Sequence, residues 1–272
     1  MRSPRWFDFG AAAATISELW RVGRCFDQWA TLAWTDVAVK YRRTTLGPAW
    51  ITLGLAVSVT SVGVLYGVLF GKDLSDYLPY FAIGIIAWTF FSSCVTEGCG
   101  VFVANGAMIK SIPVSMAVYV YRMMSRQLIL LMHNVTLVIV LWLIFRWHLN
   151  WSIVLLPAGL ALNVLTAFGL ILMLGVVGAR FRDVQLIVST VLQLAFLLTP
   201  VMWQPNTLDG TKLRIFVDAN PLHALIEVLR QPAVGAAPDA LTWLFALGNA
   251  LLALALGVFF YARYRHRIAF WV

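Results

Sequence analysis

Charge is scarce in this chain. Lys, Arg, Asp and Glu make up 12% of its 272 residues, while hydrophobic residues reach 61% and the mean hydropathy is +0.83. Soluble domains carry roughly 25% charged residues, so a water-facing surface of this size is excluded, as are disorder and fibrous repeats. Cysteine is scarce too. Cys25, Cys94 and Cys99 lie in or beside apolar runs, which rules out a secreted disulfide scaffold. No Gly-x-x-x-x-Gly-Lys-Ser/Thr phosphate loop occurs, so the chain does not hydrolyse ATP by that route. No nucleophile–base pair is visible, and no cluster of His, Cys and acids suggests a metal. His223 and Glu227 have i,i+4 spacing, but a third ligand is missing and a solvated helix face is preferred.

What remains is a polytopic, all-α membrane protein. Six uninterrupted apolar stretches approach the roughly 20 residues that cross a bilayer: Ala49–Phe70, Leu78–Val103, Gln127–Phe145, Ile153–Gly178, Val184–Trp203 and Leu241–Tyr261. With the N-terminus inside, seven Lys and Arg precede the first span, three follow the second, two follow the fourth and three lie in the tail. The outer segments hold five: Lys72, Arg146, Lys212, Arg214 and Arg230. This bias obeys the positive-inside rule and places both ends in the cytoplasm. The net charge of +8 thus reports topology and attraction to anionic lipid, not nucleic-acid binding. A cleavable signal peptide is not expected, because Asp8 interrupts the short apolar patch of 6–9.

Residues 1–48 read as a cytoplasmic segment and 49–272 as the membrane domain with a short cytoplasmic tail. Within the first, Leu19, Phe26, Ala30, Ala33 and Val37 recur at helical spacing, with Trp20, Trp29 and Trp34 suited to headgroup level. One amphipathic interface helix over Ile16–Val39 is expected. It serves as an anchor or also contacts a partner or substrate. Lys40, Tyr41, Arg42 and Arg43 then lead to Leu46-Gly47-Pro48, where the chain turns into the membrane. These cations suit a lipid phosphate and equally suit plain topology signalling.

Span one carries Gly63, Gly67 and Gly71, spaced for close helix contact within the chain or between subunits. On span two, at about 100° per residue, Tyr77, Tyr80, Trp88, Phe91 and Phe102 share one quadrant, with Phe81 at its edge. Such a stripe stacks on sugars, or fills a core. Glu97 lies opposite, toward the cytoplasmic end, and reads as a packed or solvent-reaching carboxylate rather than a coupling site. Ala104–Ser125 is mildly polar and contains Lys110, Arg122 and Pro113, the last of which could start a short helix. Arg180-Phe181-Arg182-Asp183 forms a second basic cytoplasmic connection. Together they offer two docking elements to a separate motor. Outside, Thr199-Pro200 should end span five. Asn220-Pro221 reads as a cap and first-turn proline before a short external helix. Its stripe is Leu222, Leu225, Ile226 and Leu229, with His223, Glu227 and Arg230 on the other face.

Taken in order, the amphipathic segment, the Tyr41–Pro48 turn, six spans, Arg180–Asp183, Thr199–Trp203 and Asn220-Pro221 with Glu227 and Arg230 resemble the ATP-binding-cassette type-2 permeases. Within them the chain is similar to the Wzm-like exporters of O-antigen, capsule and teichoic-acid polysaccharides. The resemblance implies a homodimer in the bacterial inner membrane, working with two copies of an ATPase subunit. That partner binds ATP and Mg; this chain needs no cofactor. The implied substrate is a glycan on a polyprenyl diphosphate lipid. Arg42 and Arg43 would dock the diphosphate, and Tyr77, Tyr80, Trp88 and Phe91 would stack sugars. Leu46, Gly47, Asn220, Pro221, Glu227 and Arg230 would gate. Lys110, Pro113, Arg180, Arg182 and Asp183 would couple to the ATPase. A type-2 permease for a drug or small lipid is the alternative, and an intramembrane glycosyl- or acyltransferase a more distant one.

Overall fold

Apolar runs of this length leave the backbone to satisfy its own hydrogen bonds, and helices do so locally. The computed structural model describes residues 9–42, 44–47, 49–69, 71–208, 210–211 and 214–272, and among them the only regular structure is helical. Eleven α-helices follow one another: α1 (Phe9–Arg24), α2 (Phe26–Tyr41), α3 (Ala49–Leu69), α4 (Leu74–Cys99), α5 (Gly106–Ser111), α6 (Ala117–Phe145), α7 (Leu156–Arg180), α8 (Val184–Leu198), α9 (Arg214–Asp218), α10 (Pro221–Ala233) and α11 (Ala240–Trp271). Short 3₁₀ turns at Trp151–Leu155 and Pro205–Leu208 precede α7 and follow α8.

Among the described residues, five helical segments have the length and apolarity to cross a membrane: α3, α4, α6, the 3₁₀ turn continued by α7, and α11. The sixth apolar run is shorter than its sequence suggests. α8 ends at Leu198, because Thr199 is extended before Pro200. Fifteen residues give about 22 Å of helix, less than the roughly 30 Å of a hydrocarbon core. By contrast, α6 begins at Ala117 and α11 runs on to Trp271, since helix continues where arginines end the apolar run.

The expected interface helix is two helices broken at Cys25 (φ −82°, ψ 56°). Ala33 and Val37 of its apolar stripe are buried, as is Leu19, whereas Phe26 is exposed. Across the break the Trp29 indole N–H donates to the Val22 carbonyl (3.1 Å), and its ring stacks on Tyr121 of α6. A short helix also forms before Pro113 rather than from it: α5 closes at Ser111 and Pro113 lies in the connection to α6. The external helix α10 forms as expected, with the Asn220 side chain accepting from the Leu222 amide and Pro221 in the first turn.

α4 and α7 form the packed centre. A Cβ on Gly169 would collide with the Ala253 backbone, and one on Gly257 with that of Gly169, so α7 and α11 touch main chain to main chain. Gly63 and Gly67 receive Leu78 and Leu74, which makes the span-one glycine pair an intrachain contact with α4. One end of the bundle, the near end, carries α1, α2, α5 and the 180–183 connection. The far end carries α9 and α10.

Candidate functional site

At the near end the last turn of α4, the start of α6, α2 and the 180–185 segment surround a cavity of about 640 Å³. Its charged lining consists of Asp36, Glu97, Arg122, Arg126 and Arg182, joined by Asn105 and Gln185. Arg122 grips Asp36 with two nitrogens, Nε at 2.8 Å from Oδ2 and Nη2 on Oδ1, while its Nη1 stands 3.5 Å from Asn105 Oδ1. Arg126 pairs with Glu97 and lies 3.7 Å from Asp36. Three helices are thereby joined through two carboxylates. Glu97 reaches this cavity and remains 45% exposed, so it is a solvent-reaching, paired acid. Arg182, exposed on the rim, leaves the lining with one cation more than its acids.

A second carboxylate hub ties α1 down. Glu18 accepts from Ser115 Oγ (2.6 Å), pairs with Arg265 of α11 and lies 3.4 Å from the Tyr261 hydroxyl. Ser115 sits in the connection that leaves α5. Glu18 thereby ties the α5–α6 connection to α1 and α11, and Arg122 ties α6 to Asp36 of α2. Lys110 on α5, Pro113, Arg180, Arg182 and Asp183 are all exposed at this end, and the Arg180 guanidinium lies over the Trp271 ring.

The basic turn stands apart from the cavity. Arg42 and Leu46 are exposed, and Gly47 adopts φ +56°, a left-handed conformation that favours glycine. Arg43 and Pro48 lie outside the described residues.

The far end corrects the aromatic reading. Tyr77, Trp88 and Phe91 are buried within the chain, so their ring faces line no open passage. Trp88 packs on Phe196 of α8, and Phe102 falls beyond the end of α4, where the helical wheel no longer applies. The two tyrosine hydroxyls face the unwound chain after α8. Tyr77 donates to the Met202 carbonyl and Tyr80 to that of Trp203 (3.2 Å).

Glu227 and Arg230 are corrected as well. They are not on a solvated face: Arg230 is 1% exposed and Glu227 7%. Because α10 is covered by α4, α7 and α11, its polar side is enclosed, and burial then demands that each charge be matched. Arg230 Nη1 donates to Glu227 Oε1 (3.0 Å) and Nη2 to the Pro200 carbonyl (2.9 Å), with the guanidinium 4.0 Å from the centre of the Tyr80 ring. Gln231 donates to the other Glu227 oxygen (3.0 Å), and Asn220 donates to Thr199 Oγ1 (2.9 Å). His223 stands 3.9 Å from Glu227, and burial holds its imidazole below its ordinary pKa although the carboxylate pulls the other way. Among the described residues no group of three potential metal ligands occurs.

Residues 27–234 fit the family described as ABC-2 type transporter. The chain belongs to this family. Three curated relatives carry the name O-antigen export system permease protein RfbA. One from Myxococcus xanthus is 22% identical over 197 residues, 72% of this chain and 76% of the relative. Two from Klebsiella pneumoniae are 20% identical over 216 residues (78% and 82%) and 19% identical over 252 residues (90% and 96%). As an ABC-2 protein the chain is the multi-pass transport subunit of a system driven by an ATP-binding-cassette ATPase.

Proposed function

We propose that this chain is the permease of an exporter that moves O-antigen, carried on a polyprenyl diphosphate lipid, across the bacterial inner membrane. The relatives' shared name supports the substrate, and the observation that carries the reading in this chain is the Arg-rich cavity at the near end. A phosphate-bearing headgroup arriving there meets Arg182 on the rim and Arg126 behind it, and a hydroxyl-rich sugar meets Glu97, Asn105 and Gln185. Arg42, exposed after α2, and Arg43, next to it in the sequence, attract the anionic lipid toward this end.

The near end is cytoplasmic in this reading, as are both termini, and two ATPase copies bind below a permease homodimer. α8 supports the dimer. It buries little beyond Leu192 and exposes Leu186, Ile187, Val191, Leu194, Leu197 and Leu198, a face available to a second copy. ATP and Mg are held by the partner, and this chain supplies no cofactor site. Closing of the ATPase pair presses on α5, and the Ser115–Glu18 and Asp36–Arg122 links carry the push into α1, α2, α6 and α11. Asn220, Pro221, Glu227 and Arg230 form part of the outer gate.

Deletion of the gene tests this reading. Cells lacking the chain are expected to lose surface O-antigen and to accumulate the lipid-linked polymer inside, both reversed by the plasmid-borne gene. Undiminished surface polymer in the deletion strain would refute it.

A further inference from the structure

Four consecutive backbone carbonyls follow α8, those of residues Pro200–Trp203, and side chains from two helices hold them. From α4, Tyr77 donates to Met202 and Tyr80 to Trp203, with the Tyr80 hydroxyl also 3.5 Å from the Pro200 carbonyl. From α10, Arg230 Nη2 donates to Pro200 and lies 3.4 Å from Val201. This stretch is neither helix nor strand, so its carbonyls depend on such donors.

The two sets of bonds differ in kind. Arg230 is a buried charge already matched to Glu227, and withdrawing it from these carbonyls would strand a donor away from water. The Asn220–Thr199 bond adds to the same junction. α10 is in turn fixed to α7 by Asn163, which donates to the Leu225 carbonyl (2.9 Å), and to α11 by Asn249, which donates to that of Pro221 (2.9 Å). On the α4 side, Arg230 meets a smooth surface: the Tyr80 ring face and Gly84, where a Cβ would collide with Nη2. Neither contact is a conventional hydrogen bond, so a sliding α4 breaks none there. The tyrosine hydroxyls are neutral and can exchange a carbonyl for water as the plane opens. At the near end, by contrast, α4 is locked to α7: Gly98 faces Ile171, and Gly178 lies against the Cys99 carbonyl.

We infer that Tyr77 and Tyr80 are a catch. The unwound stretch 199–203 stays with α10, which is fixed to α7 and α11, and the start of α4, carrying α3, moves away from that stretch when the hydroxyls let go. This gives the two tyrosines a positioning role in place of sugar stacking. The inference rests on reading the chain as a conduit, and not on which polymer passes.

Hydrogen exchange on the complex with its ATPase in lipid nanodiscs tests it. During ATP turnover, amides of 199–206 are expected to exchange about tenfold faster than at rest, while those of 221–233 stay protected. The Tyr77→Phe/Tyr80→Phe variant should show the faster exchange already at rest. Three results would overturn the catch: no change at 199–206 on turnover, a double variant indistinguishable from wild type at rest, or 221–233 loosening together with 199–206. Tyr80→Phe alone guards against general unfolding, because a rise spread equally over 156–180 in that variant also overturns it. Surface O-antigen is scored separately, so either proposal can fail without the other.

Discussion

Asp36 and Arg122, 86 residues apart in the chain, close a two-point ion pair that fixes α2 to the start of α6. Arg122 is 19% exposed and Asp36 20%, so the pair is neither fully solvated nor fully buried. The interface helices are consequently riveted to the bundle, here and at Glu18, rather than resting loosely on it. The connection after α5 is tied to α1 and α11 through Glu18, and α6 to α2 through Asp36.

Removing one partner of that pair strands the other. Asp36→Ala is expected to destabilise the protein by about 1–3 kcal/mol, the cost of leaving a half-buried charge unmatched. The thermal melt of the purified complex reads this. Asp36→Ala combined with Arg122→Ala should recover part of the loss, and a double variant no better than the single would contradict the pairing.

Arg182 should separate binding from stability. It is exposed on the cavity rim and no helix packing depends on it. Arg182→Glu is expected to lower O-antigen export several-fold, with a melting temperature within about 2 °C of wild type. Normal surface polymer in that variant would remove the headgroup from this cavity.

Trp88 and Phe90 face different cores and are both buried. Each change to Ala is expected to cost about 3–5 kcal/mol, lowering the amount of folded protein alike. Full folding of Trp88→Ala with export abolished would instead restore a sugar-stacking role to that ring.

His223 gives the far end a dependence on pH. Its imidazole is held below its ordinary value of 6.5 by burial, opposed by Glu227 and Asp218 and aided by Arg230 and Arg214. The folded state therefore binds fewer protons than the unfolded one, and stability falls as pH drops below about 6.5. Melting temperatures at pH 7.5 and pH 5 measure the slope. His223→Gln, neutral throughout, should flatten it, and an unchanged slope would assign the effect elsewhere.

The helical architecture was legible because long apolar runs, Asn220-Pro221 and Thr199-Pro200 act locally. The break at Cys25 was not, since no Gly or Pro marks it, and its geometry is set by Trp29 packing against α6. The near-end cavity was hidden because its acids and arginines are dispersed from Asp36 to Arg182. Arg122 and Arg126, one turn apart without a local acid, were the available signal. Glu227 and Arg230 looked solvated because a single-helix pattern cannot reveal that three other helices cover both faces. Tyr77 and Tyr80 were correctly placed on one face, yet only the unwound carbonyls of 200–203 disclose what their hydroxyls meet.

Translocation in proteoliposomes addresses the central claim most directly. The purified chain and its ATPase are reconstituted with lipid-linked O-antigen, and glycan reaching the opposite leaflet is counted with an impermeant lectin. ATP-dependent transfer that requires both subunits is the expected result. Transfer equally fast without nucleotide, or none with both subunits active, would contradict the account.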